Sequence, residues 1–316
     1  MLSMPVAYQK DFKLPDLPDD HIGKNIGTVP FADSVYHKVL MDNNDTVYDV
    51  RYSIDANSLR ITPGHDSAKK DFALFFGCSI AFGLGLEDNE TLPYQFQELS
   101  GKYNSYNYAY EGYGTNHMLA RLEFQDLSQQ VTEKDGIAIY IFFWDHIYRA
   151  IGSMDRYCEW LFNAPYYTLE DEKLVRKKMF KDGRYFLSKT YEYIHQTSIV
   201  KQFEINFPYQ LTSDHFDLVT EMILKSKENY SSQFGNDNFY VALCPSYITY
   251  TKDEMVQFKL HMEKKNIESI DLNDFIQYGP QHTLGGDPHP NANTIQIIVK
   301  ELCNRIAKIK TPISLH

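Results

Sequence analysis

The segment that most restricts this chain runs from Phe72 to Gly85, Phe-Ala-Leu-Phe-Phe-Gly-Cys-Ser-Ile-Ala-Phe-Gly-Leu-Gly. Five consecutive apolar residues, Phe72 to Phe76, read as a strand buried on both faces, which is the habit of parallel sheets covered by helices. The run stops at Gly77, Ser79 follows two residues later, and Gly83 and Gly85 precede a helical stretch at 91–100. Glycine permits the sharp turn and close backbone approach that this arrangement needs. It therefore predicts a hydroxyl held at the carboxyl end of the first strand, where open parallel sheets bind their ligands. Near the other end lies Gly286-Asp287-Pro288-His289-Pro290-Asn291, a carboxylate and an imidazole two residues apart before a last helix. Together these segments offer a nucleophile, a base and an orienting acid in the chain order Ser79, Asp287, His289. Taken singly, Ser79 reads equally as turn chemistry and the Asp-Pro-His-Pro stretch as a solvated helix entry; the conjunction carries the catalytic reading.

Further strands are expected at 72–77, 104–109, 136–143, 239–244 and 268–272, and helices near 91–100, 115–130 and 293–308. Ile295, Ile298, Val299, Leu302 and Ile306 form one apolar face of the last helix. Strands alternating with helices at these lengths predict an α/β fold, a doubly wound parallel sheet with right-handed crossovers. Before it, residues 1–45 read as an extended arm and Val47–Ile61 as a short hairpin turning at 55–57, packed on an α/β domain spanning 71–316. Residues 147–235 interrupt the rhythm with helical patterns at 170–180 and 216–230 and aromatic clusters around Trp160 and Tyr166. This insertion leaves from the carboxyl edge of strand three. It is expected to cap Ser79, with a packing insertion or a self-association surface as the alternative.

The motifs resemble those of the SGNH (GDSL-type) hydrolases. Gly77-Cys78-Ser79 with Gly83 is similar to their first block, and the continuation to Pro93 is similar to a bacterial subgroup. Asn107-Tyr-Ala-Tyr-Glu-Gly112-Tyr-Gly114 resembles the second block, and Asp287 with His289 the last. The resemblance covers roughly residues 70 to 310, with a large gap in the middle. It implies a flavodoxin-like five-stranded sheet and an ester hydrolase in which Ser79 attacks a carbonyl and His289 carries its proton. It also implies an oxyanion hole on the backbone amides of Ser79 and Gly112. Three departures accompany it. Cys78 stands where an aspartate is usual, and Gly286 holds the usual position of the acid, so Asp287 acts from a different loop path or a Ser–His dyad operates. The asparagine of the third block is missing, since strand three runs into Trp144-Asp145-His146. Either the two amides act alone or His146 supplies the third donor. Losing one such donor typically costs about 100- to 1000-fold in turnover, so a catalytically silent glycan-binding or scaffolding module stays open beside an esterase and an O-acyltransferase of envelope glycans.

Asn116 and Arg149 are candidate substrate-binding residues by position, Arg149 equally a structural ion-pair member. A formal net charge of -11 and no basic stripe exclude nucleic acid as the expected partner. The 24 tyrosines suit sugar stacking as well as packing, so a small-molecule or glycan ester is the expected substrate, of acetyl-like size. Cys78, Cys158, Cys244 and Cys303 are scattered without metal spacing, and neither metal nor cofactor is expected. No run of about 18 apolar residues appears. The chain as given is expected to be soluble, as a cytoplasmic protein or as a domain excised from a secreted or envelope protein. The sequence leaves the oligomeric state open.

Overall fold

A computed structural model describes residues 22–310 apart from Lys24, Asn44, 246–249 and Gln277. The expected arm over 1–45 lies outside the described residues as far as residue 21. From there a minimal pair, β1 (Ile22–Gly23) and β2 (Gly27–Thr28), leads into a hairpin, β3 (Ser34–Asp42) and β4 (Asp45–Ile54). The α/β body then runs β5 (Asp71–Phe76), α1 (Ser79–Phe82), α2 (Leu92–Ser100), β6 (Tyr103–Asn107), α3 (Thr115–Phe124) and β7 (Asp135–Phe142). An excursion follows with α4 (Asp145–Ile151), α5 (Met154–Glu159), β8 (Pro165–Glu170), β9 (Lys173–Met179), α6 (Phe180–Gly183), α7 (Tyr185–His195) and α8 (Ser198–Phe203). The chain closes with α9 (Ser213–Phe234), β10 (Phe239–Leu243), α10 (Lys252–Lys264), β11 (Ser269–Asp271) and α11 (Ala292–Lys310).

The five central strands are ordered β6-β5-β7-β10-β11, and every pairing is parallel. This is the flavodoxin-like order, 2-1-3-4-5 in the succession of the central strands. Alternate residues of β5 face opposite layers, as the pleat requires. Ala73 and Phe75 pack toward α2 and α11, whereas Phe72, Leu74 and Phe76 pack toward α3, α9 and α10. The order reverses at β5 and β7, so the crevice at their carboxyl ends is where a ligand site is expected.

Three local expectations change. Residues 45–54 pair backward with 34–42 rather than forward across 55–57. The forward reversal survives as a turn, with Ser58 N bonded to Asp55 O and a bridge between Ile54 and Arg60. In β3 the apolar residues Val35, Val39 and Met41 face solvent, which hid the strand from a pattern search. Residues 173–179 form β9 instead of helix, because Asp171 and Glu172 both adopt positive φ and close a tight hairpin with β8. Finally, α9 packs on α3 and buries Phe216, Val219, Met222 and Ile223 in the sheet's core, so it is the crossover from β7 to β10. The excursion proper thus ends before residue 213.

Candidate active site

Ser79 opens α1 directly beyond the buried end of β5. Gly77 makes the approach with φ +152°, and a Cβ there would lie 3.0 Å from Ile141 O and 3.1 Å from Ala81 Cβ. The helix lasts one turn, because Gly83 takes φ +88° and returns its N–H to Ser79 O at 2.9 Å. Its carboxyl end is held by Arg60, whose guanidinium is buried between Tyr52 (4.2 Å) and Phe82 (5.0 Å). That group donates to Phe82 O (2.9 Å), Gly83 O (2.6 Å) and Leu86 O (2.6 Å), and to Asp88 Oδ1 (3.0 Å). Four bonds thus satisfy a cation taken out of water, which burial would otherwise make costly.

The second contributor arrives from the far edge of the sheet. The chain leaves β11 and must return across the strand ends, because α11 packs against α2. The returning loop is closed on itself by Leu284 N to His289 O (3.0 Å) and by Asn291 Nδ2 to Gln281 O and Thr283 O (both 3.0 Å). Asn291 also caps α11, accepting from Thr294 N at 3.0 Å. Within the loop, Gly285 and Gly286 both take positive φ (67° and 75°), a conformation that L side chains resist. The double turn folds the Asp287 carboxylate back onto His289: Oδ1 accepts from the backbone N–H at 2.8 Å and meets Nδ1 at 2.6 Å. His289 Nε2 lies 2.7 Å from Ser79 Oγ. Ser79 and Asp287 are buried, and His289 nearly so, its side chain 11% exposed. The shortened spacing between acid and base is therefore absorbed by two left-handed glycines.

Gly112 lies in the loop after β6, and four elements fix that loop. Its φ is +76°, and an added Cβ would sit 3.0 Å from the Trp160 ring. Trp160 Nε1 donates to Gly112 O (3.2 Å) and Arg149 Nη1 to Tyr113 O (2.7 Å). The Tyr113 hydroxyl donates to Thr28 O (2.7 Å). From the hairpin, Lys38 Nζ reaches both carboxylate oxygens of Glu111, at 2.8 and 2.7 Å. One turn further, His117 Nδ1 accepts from Gly114 N–H (3.1 Å) while its ring stacks on Tyr113 at 4.3 Å. Burial holds His117 neutral, well below the ordinary imidazole range, helped by Arg149, Arg121 and Arg176. Since Nδ1 accepts, Nε2 carries the proton. Behind Gly112 lies a cavity of about 10 Å³, walled by Trp160, Leu161, Ala164 and His117, with room for one water at most.

The remaining candidates serve the scaffold in this structure. Arg149 is buried; its Nε donates to Asp145 Oδ2 at 2.7 Å, and Asp145 Oδ1 takes Arg156 Nε at 2.9 Å. Burial alone would raise the Asp145 carboxyl, but the two guanidiniums overrule it and hold it below its ordinary value. Asn116 is wholly enclosed and donates to Pro165 O at 2.8 Å, tying α3 to β8. His146 is enclosed too, stacked on Tyr140 (5.5 Å) with Nδ1 bonded to its hydroxyl at 2.7 Å. Tyr140 belongs to the α3, α9 layer, whereas α1 belongs to the opposite layer. Cys78 is buried in the α1 layer beside Ser79. The residues missed in the sequence, Arg60, Lys38 and Trp160, act across separations of 22 to 73 residues. Trp160 shows in the sequence only as part of an aromatic cluster, and a charge pair such as Lys38 with Glu111 is too common to single out. Among the described residues no group of three or more metal-ligating side chains gathers. No helix among them is long and apolar enough to cross a membrane.

Fold and site together define a flavodoxin-like α/β protein with a serine, a histidine and an aspartate in one hydrogen-bonded chain at the sheet's carboxyl edge. No protein-family model and no curated protein matches the chain. It is similar in structure to an acetyl xylan esterase from the rumen bacterium Butyrivibrio proteoclasticus, with 10% identity and TM-score 0.46 over 78% of this chain. The match spans 66% of that esterase's length. A carbohydrate acetylesterase from Sinorhizobium meliloti gives 10% identity and TM-score 0.41, over 76% of this chain and all of that one. A member of the lipolytic G-D-S-L family from Veillonella parvula gives 12% identity and TM-score 0.36, over 78% of this chain and all of that one.

Proposed function

We propose that the chain is a serine ester hydrolase acting on small acyl esters, with acetyl groups on a carbohydrate as the substrate class. The reading is carried by one observation, the continuous chain from Ser79 Oγ through His289 to Asp287 at 2.7 and 2.6 Å. His289 Nε2 takes the hydroxyl proton as Ser79 attacks the ester carbonyl, then returns it to the departing alcohol. Asp287 holds the imidazole with Nδ1 protonated and stabilises the imidazolium that forms. Water, deprotonated by the same imidazole, then attacks the acyl-enzyme and releases the carboxylic acid. The oxyanion is received by the amides of Ser79 and Gly112. The Ser79 N–H opens a helix, where amides have no intrahelical acceptor, and Gly112 is held by the four-sided clamp. His146 is left out of the hole because its ring is sequestered against Tyr140.

The test is hydrolysis of p-nitrophenyl acetate and butyrate by the parent chain and by Ser79→Ala. Serine-dependent turnover, faster on acetate, is the expected result. Equal background rates would overturn it and leave the silent glycan-binding module, which would show saturable sugar binding that survives Ser79→Ala. Adding a sugar acceptor separates hydrolysis from transfer: acyl-sugar formed faster than free acid would assign an O-acyltransferase instead.

A further inference from the structure

The excursion has two unlike faces. Its inner face carries Trp160 onto Gly112. Behind Trp160, Arg184 locks α7 to α5: its guanidinium lies over Phe180 (4.5 Å), Tyr157 and Tyr191 (both 5.2 Å) and donates to Ile151 O at 3.0 Å. The Tyr157 hydroxyl donates to Glu192 at 2.9 Å, so α7 is fixed in rotation by its inner side. The outer side is bare. Phe186 and Tyr193 stand seven residues apart on α7, and Ile199 and Phe203 four apart on α8, spacings that align side chains along one helix face. With Tyr185 and Tyr209 these residues are 54–86% exposed. Ordered helices seldom hold so many large apolar side chains in water without a partner.

We propose that this α7–α8 face is a self-association surface, through which two copies of the chain pair about a two-fold axis. The area fits. Phe186, Tyr193, Ile199 and Phe203 at these exposures leave roughly 600 Å² open on each copy if each can bury about 200 Å², so a pair reaches the lower bound of about 1,200 Å² in total for a specific interface. The chemistry fits a protein partner as well. Phenylalanine with tyrosine is the composition enriched in interface cores, and the tyrosine hydroxyls can be satisfied at the rim. A membrane surface is disfavoured, because Lys189 and Lys201 are balanced by Glu192 and Glu204 and the chain carries a net charge of -11. A face that pairs with itself satisfies two-fold closure without leaving a second patch open. The proposal is independent of the ester chemistry.

Sedimentation velocity on the full chain over a concentration series tests it. The parent is expected at twice the monomer mass. Phe186→Glu with Phe203→Glu is expected at the monomer mass, with unchanged circular dichroism and melting temperature, because both side chains already face water. Val35→Glu, on the exposed face of β3, is expected to leave the dimer intact. Tyr193→Lys, on the same face of α7, repeats the measurement should the double variant fail to fold. A parent that stays monomeric throughout the series overturns the proposal, as does monomer that floats with phosphatidylcholine vesicles. A dimer indifferent to Phe186→Glu and Tyr193→Lys overturns it equally.

Discussion

Replacing Lys38 by methionine tests whether the hairpin positions the Gly112 amide for catalysis. Lys38 is 30% exposed and Glu111 8% in their side chains, so the pair is half sheltered rather than buried. At the observed 2.7 Å the gross attraction is about 6 kcal/mol for an effective dielectric near 20. Desolvating Glu111 and ordering the lysine stem offset most of that, leaving a net contribution of about 2 kcal/mol. Methionine keeps the stem's packing and removes the charge, so Glu111 is left sheltered without a counterion and is drawn toward water. Gly112 follows it in the chain, and a displacement of about 1 Å in a positioned group costs about 100-fold in rate. In the proposed mechanism the amide acts on the developing oxyanion rather than on the bound ester, so kcat on p-nitrophenyl acetate should fall about 10- to 100-fold with KM nearly constant. Glu111→Gln should do the same, and the double variant should fall little further than either single one. A Lys38→Met enzyme that melts earlier yet keeps kcat within about threefold of the parent would refute the argument, since the cost would then lie wholly in stability.

Asp287→Ala should lower kcat by about 1,000-fold or more, since the imidazole loses the group that fixes its tautomer; a rate near the parent's would mean that Ser79 and His289 act as a dyad. Arg60→Met should destabilise the fold by about 3–5 kcal/mol in urea unfolding, because it strands the carbonyls of Phe82, Gly83 and Leu86 in the interior. His117 and His146 are both held neutral by burial, well below their ordinary value. Their folded values lie below the unfolded one, so their contribution is complete above the unfolded value of 6.5 and is lost progressively as pH falls below it. Stability should thus drop by up to about 2.7 kcal/mol per pH unit from these two groups, and His117→Asn should halve that slope in a melting series at decreasing pH. Asp145 is depressed instead, so its contribution is present above the ordinary carboxylate range and lost only in stronger acid. Asp145→Asn should flatten the acid limb below about pH 4 while lowering stability at neutral pH.

The sheet was legible in the sequence because it is built from signals that are local. A strand buried on both faces must be apolar throughout, as β5 and β7 are, and a turn that delivers a hydroxyl to a strand end must contain small residues, as 77–85 does. The order Ser79, Asp287, His289 was visible for the same reason. The shortened Asp287 spacing could be noticed but not resolved, because it depends on two glycines choosing positive φ, which sequence permits without requiring. Hairpin register was lost where β3 presents Val35 and Val39 outward, against the usual alternation. The roles of Arg149, Asn116 and His146 were undecidable for a different reason. Each lies next to the strand ends, and only packing decides whether such a side chain turns into the crevice or back into the scaffold; here all three turn into the scaffold. The chain by itself thus determined the parallel α/β architecture and the three residues of the hydrogen-bonded chain, since both follow from local backbone and burial rules. The tertiary structure alone decided what holds Ser79 and Gly112 in place, because Arg60, Lys38 and Trp160 reach them through space from segments that carry no mark of their partner.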